Sequence, residues 1–195
     1  MEKKKYHHEN LKLELIEKGI NIVNTVGISN FSIRKVSAAC GVSPMAPYAH
    51  FENKEDLLEK MQEYIVEKFS ANLESAIENC NDETKIVKQL GIAYVHFFIH
   101  NPTYYSFLYT QSNLQIDLTM EGDTDKTFKP FEIYKNVMIQ FMEKINYPLE
   151  KQKDMIISLW AYVHGIAALA TMKNVCYNEK WEEKISDFID IFKIE

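Results

Sequence analysis

Glycine and proline are scarce in this sequence, with six and five copies in 195 residues, and strand-type alternation of polar and apolar residues is nearly absent. These features leave little material for hairpin turns and sheets, so the sequence predicts an all-α fold. A chain of this length can bury a sizeable core, as one large domain or as a small domain plus a medium one.

Cysteine is also rare, and Cys40, Cys80 and Cys176 lie far apart without a CxxC pair. This spacing indicates a reducing compartment and no zinc site. Residues 1–10 carry charge but no apolar run, which is unlike a signal peptide. The sequence contains no HExxH motif, no glycine-rich phosphate loop and no evident nucleophile–base pair. We therefore expect a cytoplasmic protein that is not an enzyme, with no cofactor and no bound metal.

Basic residues are outnumbered, and Arg34 is the one arginine in the chain. The formal net charge of −6 argues against a protein that coats nucleic acid through bulk charge. Residues 1–54 nevertheless carry eight basic side chains against five acidic ones, so their net charge is +3. The net charge of the rest of the chain is then −9. A mildly basic N-terminal part on an acidic remainder is compatible with a local DNA contact.

Two short helices joined by a tight turn are predicted within residues 31–54. Ser32 can cap the first helix, and Gly41 follows its last apolar residue, where a left-handed backbone commonly ends a helix. The second helix is predicted over residues 43–50. Pro47 within it removes a backbone hydrogen bond, so we expect a distorted first turn. Helix–glycine–helix occurs in many all-α proteins, but it is also the helix-turn-helix pattern that enters the DNA major groove.

The same stretch resembles the DNA-binding domain of the TetR/AcrR family of transcription regulators. The resemblance is carried by Phe31-Ser32-Ile33-Arg34, Ala39, Gly41-Val42-Ser43, Tyr48, Phe51, Lys54 and Leu57-Leu58. Further along, Trp160 and His164-Gly165 resemble a signature of the ligand-domain helix in one branch of that family. The resemblance implies a helix-turn-helix DNA-binding domain over residues 1–54 and a helical ligand-binding and dimerisation domain over residues 55–195.

The resemblance also implies which side chains contact DNA. Pro44, Met45 and Ala46 match positions that face base edges, whereas Tyr48, His50, Lys54 and Ser32 match contacts to the DNA backbone. With Ser43 and Arg34, the predicted DNA-binding residues are Ser32, Arg34, Ser43, Pro44, Met45, Ala46, Tyr48, His50 and Lys54. A buried aromatic remains the alternative for Tyr48, and Phe51 is predicted to be core. The first turn offers no Arg, Asn or Gln, so DNA shape and Arg34 are expected to contribute to recognition.

The C-terminal part is rich in aromatic residues and methionine. Further helices are predicted at residues 54–79, 83–100, 102–109, 129–145, 155–172 and 178–194, with a polar loop at 111–127. Residues 155–172 are apolar on nearly every side, which suits a buried helix better than a membrane span. We expect a pocket walled by Tyr94, Phe97, His100, Tyr105, Met138, Phe141, Trp160 and His164. The acidic C-terminal part favours an apolar effector that is neutral or cationic.

The remaining apolar stripes predict self-association. A two-fold interface is expected at Ala168, Trp181, Ile185, Phe188 and Phe192. The sequence thus favours a homodimeric, ligand-released repressor that binds a palindromic DNA operator, without a membrane. Two alternatives stay open. One is a small all-α metal-dependent enzyme using His96, His100 and His164, and the other is a helix-turn-helix scaffold whose C-terminal part binds a protein.

Overall fold

The structure is a computed structural model that describes residues 8–120 and 128–191. Within those residues the regular structure is helical and no strand occurs, which confirms the all-α class. The α-helices are α1 (His8–Val26), α2 (Ile33–Cys40), α3 (Lys54–Glu78), α4 (Ile86–His100), α5 (Pro102–Ser106), α6 (Lys129–Lys144), α7 (Leu149–Thr171) and α8 (Trp181–Ile189).

Contacts divide the chain into two compact units. The first unit comprises Met1–Ile65 and Ser106–Leu114, and the second comprises Val66–Tyr105 and Gln115–Glu195. The N-terminal domain predicted for residues 1–54 falls inside the first unit, which also contains the first turns of α3. Because α3 is continuous, one helix begins in the first unit and ends in the second.

Both ends of α2 are set by local hydrogen bonds that the sequence predicts. At its start, the Ser32 hydroxyl accepts a hydrogen bond from the Lys35 N–H at 3.4 Å. At its end, Gly41 has a φ of 67°, in the left-handed region that favours glycine. The Val42 N–H then donates to the Ser37 carbonyl at 3.0 Å, as in a Schellman motif. The turn after α2 is therefore encoded by its own residues.

The second helix predicted over residues 43–50 is not an α-helix. The structure has a turn followed by a 3-10 helix, Ala46–Ala49. Pro47 has no N–H to donate to the Ser43 carbonyl, which accepts from the Ala46 N–H at 3.0 Å instead. The His50 N–H likewise bonds three residues back, to the Pro47 carbonyl at 2.9 Å. The expected distortion is present, but it extends through the segment because three-residue hydrogen bonds replace the four-residue ones.

The core of the first unit depends on a close approach between α1 and α3. A Cβ atom on Gly19 would lie 2.0 Å from the terminal methyl group of Met61, so a larger residue there would displace the end of that flexible side chain. Tyr64 donates a hydrogen bond to the carboxylate of Glu17 on the same two helices. Phe51, 2% exposed, is a core residue as predicted, and it anchors the end of residues 43–50.

In the second unit, α4 packs against α6, α7 and α8. The Phe69 ring of α3 lies 5.0 Å from the ring centroids of Tyr94 and Phe97 and 4.8 Å from that of Phe98. Edge-on and offset aromatic contacts at this distance add to the stabilisation from apolar burial. The packed face of α4 is therefore aromatic.

Helix α7 is long and apolar enough to cross a membrane by length and composition alone. Its side chains Ile156, Trp160 and Ala167 are nevertheless buried among the helices of the second unit. Only a third of the apolar stretch is buried, so α7 packs through one side and is not buried on nearly every side as its composition predicts.

Several helix ends differ from the sequence prediction. α7 begins at Leu149 rather than at residue 155, directly after Pro148, which cannot continue a preceding helix. The short helix predicted for 102–109 is α5 followed by a π-helical turn, Phe107–Gln111. The last helix is shorter than residues 178–194, since α8 spans Trp181–Ile189. Residues 112–120 are non-helical as predicted, and the remainder of the expected loop, 121–127, lies outside the described residues.

Candidate nucleic-acid interface and ligand cavity

Residues 43–50, termed the recognition segment below, present an apolar surface to solvent. Met45 is 72% exposed and Tyr48 is 49% exposed, whereas Pro47 and Phe51 are buried beneath them. A 3-10 turn has about three residues, so Met45 and Tyr48 lie above one another on the same side. Tyr48 is therefore not the buried aromatic that was the alternative interpretation. Pro44 is exposed beside them.

The start of α2, which precedes the recognition segment in the sequence, offers polar groups. Ser32 is half-buried and caps the helix, and the Arg34 side chain is exposed. The Lys35 ammonium donates to the Asn30 carbonyl at 2.7 Å. The first-turn N–H groups of a helix attract anions such as phosphate, which suits a contact to the DNA backbone.

Lys54, which is predicted to contact phosphate, makes a contact within the protein that the sequence does not reveal. Its ammonium donates to the Ile28 carbonyl at 3.0 Å and lies 6.0 Å from the Phe31 ring centroid. The Ile28 N–H donates to the side-chain oxygen of Gln111 at 3.4 Å. The turn before α2 is therefore held from both sides. His50 is half-buried beside Phe51, while Ala46 is half-buried and Ser43 is exposed.

A cavity of about 720 Å³ lies within the second unit, among α4, α6, α7 and α8. Of the eight predicted pocket residues, Tyr94, Phe141 and Trp160 line it. Phe97, Tyr105 and Met138 are buried but are not part of its wall, and His164 stands behind Tyr94. The wall also contains Leu73, Thr84, Lys85, Val87, Lys88, Gln89, Leu90, Gly91, Ile92, Tyr134, Leu159, Tyr162, Val163, Ser186, Ile189 and Asp190.

The inner part of the cavity is aromatic and aliphatic. The Trp160 ring centroid lies 5.0 Å from that of Tyr94 and 5.2 Å from that of Tyr134. Gly91 contributes space, because a Cβ atom there would lie 3.1 Å from Ile189 Cδ1 and 3.3 Å from Val163 Cγ1. In the sequence, this part of the cavity is indicated by a glycine within the apolar run of α4.

The outer part of the cavity is polar, and its charges are paired. The Lys88 ammonium lies 2.5 Å from the Asp190 carboxylate, which joins the start of α4 to the end of α8. The Lys85 ammonium lies 2.9 Å from the carboxylate of Asp82. Both lysine charges are thus balanced by a neighbouring aspartate.

His164 joins two tyrosines behind the cavity wall. Its Nδ1 lies 2.9 Å from the Tyr94 hydroxyl oxygen, and its Nε2 lies 3.0 Å from that of Tyr105. Burial lowers the pKa of His164 below its ordinary 6.5 and raises the pKa of Tyr105 to about 12. A neutral imidazole donates through one nitrogen and accepts through the other, so it satisfies both hydroxyls together.

His100 lies away from the cavity, contrary to the prediction that it lines the pocket. Its side chain is 58% exposed, its Nε2 is 3.3 Å from Glu182 Oε1, and its Nδ1 bonds to the His96 carbonyl. Burial, and to a lesser extent the charge of His100, lowers the pKa of His96. Throughout residues 8–120 and 128–191, no three His, Cys, Asp or Glu side chains group closely enough to hold a metal ion.

Comparison with known proteins identifies the first unit. The family described as bacterial regulatory proteins, tetR family, matches residues 15–61, which contain α2 and the recognition segment. The first unit therefore contains a TetR-like helix-turn-helix domain. A comparison with curated protein sequences gives no match.

The fold of the whole chain is similar to that of several solved structures. A protein of unknown function from Rhodococcus sp. RHA1 is similar, with a TM-score of 0.73, 20% identity, and coverage of 97% of this chain and 96% of that one. A tetR-family regulatory protein from Rhodococcus RHA1 has a TM-score of 0.69 at 13% identity, with 93% and 94% covered. The fatty acid degradation regulator FadR from Bacillus halodurans has a TM-score of 0.68 at 16% identity, with 97% and 96% covered.

The apolar stripes expected to pair two copies of the chain are only partly exposed. Ile185 is fully buried within its own unit, so it cannot form the surface that was predicted. Ala168, Trp181 and Phe188 are half-buried, and Phe192 lies outside the described residues. On α7, Leu169 and Met172 are exposed to 48% and 52%, which sequence reasoning missed because neither residue fits a stripe on that all-apolar helix.

Proposed function

We propose that this protein is a homodimeric TetR-family transcription repressor that binds a palindromic DNA operator and is released by a small molecule. The observation that carries the proposal is the recognition segment, where Met45 and Tyr48 are exposed above a buried Pro47 and Phe51. Large side chains that are exposed on a rigidly anchored turn are typical of a binding surface. The protein acts in the cytoplasm and catalyses no reaction.

Contact with DNA involves α2 and the recognition segment together. Pro44, Met45 and Ala46 face base edges, and Tyr48 and His50 contact phosphate. The α2 start contributes Ser32 and Arg34, while Ser43 and Lys54 flank the segment. Phosphate contacts fix the position of the protein on the duplex, and base contacts provide the sequence preference.

The effector site is the cavity of the second unit. Its size lies within the range of small-molecule sites, and its inner wall is apolar with tyrosine hydroxyls nearby. Because Lys85 and Lys88 are already paired with aspartates, an apolar effector that is neutral, or cationic and stacked on the aromatic wall, is favoured. An effector releases DNA only if it binds the two conformations of the dimer with different affinity.

Selection of bound duplexes from a random DNA library tests the proposal. We expect a palindromic consensus whose half-sites are about one helical turn apart, or a multiple of this. A panel of apolar compounds, one of them an anionic fatty acid, is then tested for release of the selected duplex. The fatty acid is included because FadR is named as a regulator of fatty acid degradation. Selection of no duplex would contradict the proposed function. Release by the anionic fatty acid alone would contradict the proposal that the effector is neutral or cationic.

A further inference from the structure

The chemistry of the recognition segment restricts what it can recognise in DNA. Guanine is typically recognised by Arg or Lys donors to O6 and N7, and adenine by the amide groups of Asn or Gln. Residues 43–50 contain none of these four residue types. The exposed residues of the segment are Ser43, Pro44, Met45, Tyr48 and Ala49, and the only hydroxyls in it are on Ser43 and Tyr48.

The cations nearest the recognition segment lie outside it, and both lysines make a backbone contact. The ammonium of Lys35 is bound to the Asn30 carbonyl, and that of Lys54 is bound to the Ile28 carbonyl. Arg34 is exposed, but it is on α2, and the first helix of a helix-turn-helix motif crosses the DNA backbone.

One group in the major groove is complementary to an apolar side chain, and that is the C5 methyl group of thymine. The Met45 side chain is unbranched and has a polarizable sulfur, which lets it adapt to a methyl group at a variable position. Building on the proposed function, we infer that Met45, supported by Pro44, recognises thymine methyl groups, so each half-site carries A·T pairs beneath the recognition segment.

Removal of single methyl groups from DNA tests this inference. In the selected duplex, each thymine is replaced in turn by uracil, which lacks the methyl group and retains the pairing. Burial of one methyl group stabilises by about 0.8 kcal/mol, so the dissociation constant should rise about fourfold at each thymine that contacts Met45. Replacement of purines by 7-deazapurines, which lack the N7 acceptor, should change the constant by less than about twofold.

Two variants complete the test. Met45→Ala should bind the thymine duplex more weakly than the native protein does. The variant should bind the thymine duplex and the uracil duplex equally well. The side chain is 72% exposed, so its removal should leave the thermal unfolding midpoint unchanged, as circular dichroism can verify. Leu149→Ala, a matched change at an 80% exposed residue of the second unit, should keep the native preference for thymine.

The outcomes separate this inference from the function on which it rests. Equal binding of thymine and uracil duplexes, or a large loss with 7-deazapurines, would overturn methyl recognition while DNA binding stands. An unchanged thymine preference in Met45→Ala would overturn the role of Met45. If no duplex is selected at all, both the inference and the proposed function are wrong.

Discussion

The ammonium group of Lys54 donates a hydrogen bond to the backbone carbonyl of Ile28, at 3.0 Å, across a separation of 26 residues. The bond joins the first residue of α3 to the turn that precedes α2. The N–H of the same residue, Ile28, donates to the side-chain oxygen of Gln111. Lys54 thus stabilises the start of the helix-turn-helix as well as carrying a charge near it.

Replacement of Lys54 by alanine should therefore have two effects. Loss of a phosphate contact should weaken binding to all DNA sequences alike and reduce the slope of log K against log salt concentration by about one. Loss of the bond to Ile28 should lower the free energy of unfolding by about 1 kcal/mol. Salt titration of DNA binding and thermal unfolding measure the two effects separately.

Lys60→Ala provides the matched control on the same helix. Its ammonium is paired with Glu63 at 2.7 Å on the surface, so its removal should change neither the stability nor the salt slope appreciably. A Lys54→Ala protein with an unchanged salt slope would show that Lys54 is purely structural.

Assembly is predicted to depend on the exposed side of α7. Leu169→Glu should place a charge in the dimer interface and yield monomers in light scattering, as should Phe188→Glu at the half-buried α8 position. Leu149→Glu, about 200° away around the same helix, should remain dimeric. A folded native protein that is monomeric at micromolar concentration would refute the interface.

Stability should depend on pH through His164. Because burial lowers its folded-state pKa below 6.5, the unfolded chain binds more protons as the pH falls below that value. The stability associated with neutral His164 is present above about pH 6.5 and is lost as the pH falls through the folded-state pKa. His164→Gln, which can still donate and accept, should reduce the loss of thermal midpoint between pH 7.5 and pH 5.

His96 contributes in the same direction, since burial lowers its pKa as well. The doubly substituted protein, with glutamine at 96 and at 164, therefore serves as the reference. Its thermal midpoint should depend least on pH. If His164→Gln loses as much stability on acidification as the native protein, the bridge between Tyr94 and Tyr105 does not require a neutral imidazole.

Effector binding should alter the fluorescence of Trp160, which lines the cavity and is 6% exposed. Trp181→Phe removes the other tryptophan and isolates this signal. Val163→Phe should fill part of the cavity and weaken binding of a releasing compound at least about tenfold, whereas Val175→Phe, outside the wall, should not. Full affinity in the Val163→Phe protein, or in a folded Trp160→Phe protein, would place the effector elsewhere.

Sequence alone determined the features that depend on neighbouring residues. The Ser32 cap and the left-handed Gly41 each act within a few residues, so their pattern is visible in the sequence. The distortion at Pro47 is equally local, because it follows from a missing N–H. The aromatic core of the second unit also followed from helical spacing, although its exact partners did not.

Tertiary structure decided what depends on distant contacts. Gln111 meets Ile28 across 83 residues, which brings Ser106–Leu114 into the first unit, and no local pattern predicts that pairing. Helical periodicity gives an apolar face but not the neighbour that covers it, so Ile185 was assigned to the dimer surface although it is buried within its own unit. The cavity depends on how α4 and α8 approach at Gly91, a matter of packing volume rather than residue type.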